Sequence, residues 1–278
     1  MIRRDAGHDF LLITQTDHAA LAETLAGHFG NGRFSKPSQG AAVLKAIGLH
    51  DAGWPLHDDQ PTLNDRGHPL DVFEMGRELD LKIWAASADR AAEVDPYAGL
   101  LVSLHSLALS IHAAPTPPSK EQSFDVRKMH DQFVVNKFQH RELERQEQLR
   151  RQLGFDANIP VKHGLAEPKA SPQEDQLRFD FRLLQAMDLI SLCLCCSKLP
   201  QQQTNEVLRS PTASPMKLRL TKSLDGAVHL SPWPFDHRRI ELTVPCRRIA
   251  AKRFGSVEEF REAYAAAAMV SLNVMLAM

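Results

Sequence analysis

Aromatic residues are scarce, at 6% of 278 residues with two tyrosines and three tryptophans, so the core must rest on aliphatic side chains. Abundant Ala and Leu then lean the chain toward helices. A dominant charge is also missing. The 33 Lys+Arg and 34 Asp+Glu leave a formal charge of −1, which excludes a globally basic nucleic-acid binder and a polyacidic tail. Cysteines number four, at Cys193, Cys195, Cys196 and Cys246. Three of them crowd one expected helix, where neighbours cannot easily bridge, and no Cys-x-x-Cys pair repeats. Reduced, buried thiols in a cytoplasmic protein are the expectation. No apolar run with a small-residue cleavage site follows Met1-Ile2-Arg3-Arg4-Asp5, so no signal peptide is expected. Residues 96–119 lack Asp, Glu, Lys and Arg, but His105, His112, several serines and a proline-rich exit mark a buried helix. A membrane span needs about 20 mostly apolar residues. No internal repeat is present.

What the chain does have is 13 histidines within a 43% apolar composition long enough to bury a sizeable core. Helical periodicity predicts a first helix over residues 16–29, capped by Thr16, with Leu21, Ala22, Leu25 and Phe29 on one face. A second covers residues 39–51, and a third covers 77–92. Between them, residues 54–75 read as a long loop carrying His57, Asp58, Asp59 and His68. Asp95 and Pro96 open a fourth helix that runs to residue 114. A long helix over 122–153 is predicted to turn Phe124, Met129, Phe133 and Phe138 inward, followed by a linker over 155–171. Ser171-Pro172-Gln173-Glu174 starts the next helix. Leu218/Leu220, Val228/Leu230 and Ile240/Leu242/Val244 then alternate with polar residues around an Asp225-Gly226 turn, a hairpin signal followed by a further strand. Ser256 caps a last helix expected to continue to Leu276. The expectation is therefore a mainly α protein, with a helical body over residues 1–200, a small antiparallel β appendage over 201–255 and a closing C-terminal helix over 256–278.

Several ionisable residues fall where helix faces should be apolar. His18 is in register with Leu21, Ala22 and Leu25. His50, with Asp51 beside it, follows Val43 by seven and Ile47 by three. His105 follows Leu101 by four, and His112 repeats its direction seven residues later. Asp188 sits four after Leu184 and four before Leu192. A carboxylate on a core face is costly unless paired, hydrogen-bonded or bound to metal. Each residue alone has the simpler explanation of a hydrogen-bonded core group. Recurrence on four helices favours convergence, and imidazole with carboxylate suits a divalent metal such as Mn, Fe, Zn or Ni.

The order His18, His50-Asp51, His105, His112, Asp188 resembles the HD-domain superfamily of metal-dependent phosphohydrolases. The resemblance implies an HD-domain-like helical bundle with His18, His50, Asp51 and Asp188 as primary metal ligands. It further implies His105 and His112 at a second metal position, with Asp51 as the bridge. Gln15-Thr16-Asp17-His18, His50-Asp51-Ala52-Gly53-Trp54, Asp95-Pro96-Tyr97, Ser103-Leu104-His105 and Trp233-Pro234-Phe235 also resemble an uncharacterised bacterial family. Many catalytic HD members carry Lys where this chain has Trp54, so their charged phosphate contact is absent at that position.

The function implied is hydrolysis of a phosphomonoester or phosphodiester by metal-activated water, with one or two ions. Asp51 and His57 are the candidate catalytic residues, and the substrate class is a small phosphorylated molecule or nucleotide. Two alternatives stand beside it: a di-iron oxygenase of the HD type, and a non-catalytic metal-binding or ligand-sensing module. Arg238, Arg239, Arg247, Arg248, Lys252 and Arg253 form a basic group. It lacks aromatic interleaving and a recognition helix, so neither nucleic acid nor membrane is an expected partner.

Overall fold

The computed structural model describes residues 1–112, 126–197, 202–223 and 227–278. In chain order the principal elements are β1 (Ile2–Ala6), β2 (Asp9–Ile13), α1 (Gln15–Gly27), α2 (Gly40–Leu49), α3 (Pro55–Asp58), α4 (Arg77–Val94), α5 (Pro96–His112), α6 (Val126–Gln152), β3 (Val161–Lys162) and β4 (Leu165–Ala166). There follow α7 (Pro172–Cys195), β5 (Gln202–Val207), β6 (Met216–Lys222), β7 (Val228–Ser231), β8 (Arg239–Ala250), α8 (Val257–Ala266) and β9 (Met269–Ala277).

Seven strands form one sheet in the order β1-β2-β8-β9-β7-β6-β5. All neighbours run antiparallel except β7 and β9, which are parallel. Leu218, Leu220, Leu230, Ile240, Val244 and Leu276 of the sheet share one core with Leu21 and Leu25 of α1 and with Leu177, Phe181 and Leu184 of α7. Helix α1 lies on β8, and α7 reaches β5 and β9. Helix α5 is the centre of the helical layer and packs on α2, α4, α6 and α7. Its Leu100, Leu101, Val102 and Leu104 are fully or almost fully buried, which explains its lack of charge.

The expected mainly α, all-helical bundle with a β appendage is overturned by this sheet. Two segments account for the difference. Residues 2–13 form a hairpin with Ile2 opposite Ile13, and its second strand pairs with β8, Phe10 opposite Ile249. The C-terminal segment, expected as the end of a helix, instead leaves α8 at Ala267, whose ψ of 137° is extended. It becomes β9, and Leu276 pairs with both Ile240 and Val228. The Ala-rich run favours a helix locally, but the apolar alternation Val270, Leu272, Val274, Leu276 fits the pleat between β8 and β7. Tertiary pairing decides in favour of the strand, and the sheet is continuous with the core rather than appended to it.

Smaller differences follow the same logic. Thr14, not Thr16, caps α1 by accepting from the Asp17 amide. Phe133 is 66% exposed, while Val135 and Phe138 carry the buried face of α6. Phe124, Met129 and the Asp225-Gly226 turn lie outside the residues whose side chains are described, although β6 and β7 do pair, Lys222 opposite Val228. Within the basic group, Arg239, Arg248 and Lys252 face Glu241, Asp9 and Glu259. Among the described residues no helix is long and apolar enough to cross a membrane.

Leu276 is 1% exposed at the centre of the sheet. Leu276→Ala is expected to cost about 2–5 kcal/mol in urea unfolding, as a core truncation does. Asn273→Ala, on the exposed face of the same strand, should change stability by no more than about 0.5 kcal/mol. Equal, small effects would contradict the central placement of β9.

Candidate metal centre

Four helices deliver the ionisable residues that the periodicity singled out. His18 projects from α1 on the face that buries Leu21, Ala22 and Leu25. His50 is the residue that ends α2, and Asp51 begins the turn beyond it. His105 lies within α5 and Asp188 within α7. The turn after α2 is clamped against α4. Gly53 donates its amide to Ser87 Oγ at 2.9 Å, and Arg90 donates to the Ala52 carbonyl. Any Cβ on Gly53 would lie 2.0 Å from the Ile83 carbonyl oxygen, so only glycine allows this approach.

The side chains meet around Asp188. Its Oδ1 is 3.1 Å from Nε2 of His18 and 3.4 Å from Nε2 of His50, and its Oδ2 is 3.5 Å from Nε2 of His105. Asp51 Oδ2 stands 3.7 Å from Nε2 of His18 and 3.4 Å from Nε2 of His50. Three imidazoles thus turn the same nitrogen toward two carboxylates. His18/His50/Asp51 and His50/His105/Asp188 form two overlapping groups, each with donor atoms within 4.8 Å of one another. His50 is the shared member and Asp188 touches all three rings, whereas Asp51, the bridge that the resemblance implied, belongs to the first group alone. The side chain of His112 lies outside the described residues.

The electrostatics follow from burial. His18 is 0% exposed, His50 2%, His105 4% and Asp51 6%. Burial opposes charge on His50, but the carboxylates of Asp51 and Asp188 outweigh it and lift its pKa to about 9. Burial takes His105 the other way, down to about 4, against the pull of Asp188. Burial also raises Asp51, against the pull of His50 and His18. Asp188 resists its own burial, because hydrogen bonds with His18 and His50 hold its carboxyl well below the ordinary range. The pair of carboxylates therefore draws positive charge to one point, and in the protein alone a proton on His50 supplies it.

A divalent ion fits the same point. A carbonyl oxygen can only accept, so His50 donates its Nδ1–H to Ile47 O, at 2.6 Å. That bond directs Nε2 at the carboxylates, as outer partners of metal-bound histidines do. Nε2 of His50 is nevertheless buried with no well-directed hydrogen bond, as are Nδ1 of His18 and Nδ1 of His105. Nitrogen and carboxylate oxygen are the donor set of Zn, Mn, Fe or Ni.

Trp54, standing where a lysine was the expected comparison, has a positioning role instead. It is 2% exposed and its Nε1–H donates to Asp51 Oδ1 at 3.0 Å, leaving Oδ2 for the histidines. His57 is not brought to the cluster. Its Nδ1 is 3.1 Å from Asp58 Oδ1, its Nε2 is 3.4 Å from Thr62 Oγ1, and Asp58 pairs with the Met1 amino group at 2.7 Å.

His50, Asp51, His105 and Asp188 line a cleft of about 450 Å³. Its other walls hold residues that periodicity did not single out. Gln15 is buried at the start of α1, with Oε1 unpartnered. Arg77 and Asp80 enter from the first turn of α4, and Phe73, Met75 and Trp84 add apolar surface. Arg77 has no ion-pair partner within 4 Å among the described residues. Burial raises Asp80 to about 6, against the influence of Arg77. A charged residue in the first turn of a helix is ordinary in sequence, so nothing local marked either one. The wall at Phe73 is tied to the sheet: Arg3 pairs with Glu74 at 3.1 Å and donates to the Pro69 carbonyl, and its amide donates to Asp71 Oδ2 at 2.9 Å.

Trp54→Phe keeps an aromatic ring, though a smaller one, and removes the hydrogen bond to Asp51. Metal affinity is expected to fall about 10–100-fold with an unchanged circular dichroism spectrum. Unaltered affinity would show that Trp54 does not orient this carboxylate.

No curated protein and no solved structure matches the chain. A family model described as "Protein of unknown function (DUF3891)" matches residues 1–251, nearly the whole length, and the chain belongs to that family.

Proposed function

We propose that the protein is a metal-dependent phosphohydrolase of small phosphoesters, with His18, His50, Asp51, His105 and Asp188 holding one or two divalent ions. One observation carries this reading. Three imidazole nitrogens converge from separate helices on two largely buried carboxylates, on the wall of a cleft that also holds Arg77, which has no ion-pair partner within 4 Å among the described residues. The chain order of these residues and the adjacent His50-Asp51 pair support an HD-type centre. When bound there, a Mn, Fe, Zn or Ni ion would supply Lewis acidity toward a phosphoryl oxygen and would lower the pKa of water toward about 7.

The chain's own residues divide the remaining work. Asp188 and Asp51 supply the negative charge that fixes the ion's place, and Trp54 orients Asp51. Arg77 presents a planar guanidinium to non-bridging phosphoryl oxygens, the cationic contact that Trp54 cannot make. Asp80 retains a proton on its carboxyl to about pH 6 and donates it to the leaving-group oxygen. Phe73, Met75 and Trp84 cover the organic part of the substrate. The same reading puts the protein in the cytoplasm, in keeping with four buried, unbridged cysteines.

Elemental analysis of the purified protein tests the centre. Bound divalent metal is expected in the parent and lowered in Asp188→Ala by the one or two equivalents of the buried centre; unchanged metal in a folded variant would overturn the site. With a panel of phosphomonoesters and phosphodiesters supplied with Mn, Ni, Zn or Fe, turnover is expected. Metal retention without turnover would favour the ligand-sensing module, and iron with oxygen consumption the oxygenase.

Two variants separate binding from proton transfer. Arg77→Ala should raise KM about tenfold or more, since hydrogen bonds to charged groups contribute about 1.5–3 kcal/mol. A proton donor works only while protonated, so activity should fall as pH rises through about 6. Asp80→Asn should lower kcat and remove that descending limb. An unchanged pH profile would assign proton delivery elsewhere.

A further inference from the structure

We infer that His28, Asp236 and His237 form a second, surface metal site that takes a transition-metal dication such as Zn(II) or Cu(II). This site is separate from the buried centre. His18 and His28 are ten residues apart along and just beyond α1, about 15 Å at 1.5 Å per residue.

The backbone brings the three residues together without help from their side chains. His28 is the residue that ends α1. Its carbonyl accepts from the Asp236 amide at 3.0 Å, and the Gly30 amide donates to Pro234 O at 2.9 Å. Gly30 has φ 109°, and a Cβ there would lie 2.5 Å from Lys36 Cγ, so glycine is required at this turn. Asn31 Nδ2 donates to the carbonyls of Trp233 and Phe235 at 3.0 and 3.1 Å. Phe29 and Phe235 form a bridge between the two segments. The Trp233-Pro234-Phe235 stretch, which no other part of the site uses, is the scaffold of this clamp.

On that frame, the side chains already hold a convergent geometry. Nδ1 of His28 is 3.1 Å from Asp236 Oδ1, and Nδ1 of His237 is 2.6 Å from the same oxygen. The two rings stand 5.2 Å apart at 87°, and one donor atom from each of the three residues lies within 4.8 Å of the others. Two imidazole N–H groups now share one carboxylate oxygen. If each ring moves its one proton from Nδ1 to Nε2, a dication at this point meets two neutral imidazole Nδ1 atoms and a carboxylate oxygen. That donor set suits Zn(II), Ni(II) or Cu(II). His28 is 34% exposed and His237 66%, so water completes the coordination. The bound ion would pin the end of α1, the helix that carries His18, to the segment entering β8.

Zn(II) binding by equilibrium dialysis, on the full chain, tests the site. The parent should bind one equivalent more than the His28→Ala/His237→Ala double variant, and Asp188→Ala should retain that equivalent. His237→Ala alone, at the more exposed position, should weaken the step at least tenfold. A second readout uses Trp233, whose Nε1–H donates to the His237 carbonyl at 2.7 Å. In the Asp188→Ala background, Cu(II) should quench tryptophan fluorescence saturably, and the two histidine substitutions should abolish that quenching. Identical Zn(II) stoichiometry and affinity in parent and double variant, with quenching unchanged, would overturn the proposal whatever the fate of the buried centre.

Discussion

The withdrawal of Asp51 and Asp188 from water around the same two histidines, His18 and His50, is the constraint on which the helical layer depends. Two carboxylates of one site largely withdrawn from water are costly, by several kcal/mol per ion, unless positive charge and hydrogen bonds meet them. The fold answers with three imidazoles, an indole N–H and the raised pKa of His50. The imidazoles come from α1, the end of α2 and α5, and Asp188 comes from α7, so all four must be in place at once. A divalent ion would satisfy the same demand with a single charge centre, without requiring any buried imidazole to be protonated.

The sheet is coupled to this arrangement through two routes. Helix α7 turns Leu184 and Met187 into the common core while Asp188 reaches the cleft. Strand β1 holds the cleft wall directly, because Arg3 grips Glu74 and Pro69 and its amide holds Asp71. Packing between sheet and helices is therefore also what fixes the distance between Phe73 and the histidines across the opening. Rigidity at the site comes from burial on one side and from this strand-to-loop tether on the other.

How much of this was legible in the sequence depended on whether a residue contradicted its surroundings. His18, His50, His105 and Asp188 stood out because each was polar in an apolar register, and all four meet. Arg77, Asp80 and Gln15 contradicted nothing: polar residues in a first helical turn are common, and only the cleft reveals their direction. His57 is the opposite case. Its loop looked functional, yet the ring is taken up by Asp58, Thr62 and the edge of Trp54. The strands show the same division. Leu218 to Val244 alternated in isolation, whereas β9 followed an alanine run whose local preference was helical and whose pairing partners are distant.

The sequence by itself determined the helical periods, the caps at Ser171 and Ser256, and the burial of His18, His50 and His105, because these follow from local spacing. Tertiary structure alone decided that the first and last strands complete one seven-stranded sheet and that Asp188 gathers all three histidines. It also decided that Trp54 orients a carboxylate. Those outcomes require backbone and side-chain partners far apart in the chain, and no local pattern encodes the distance between them.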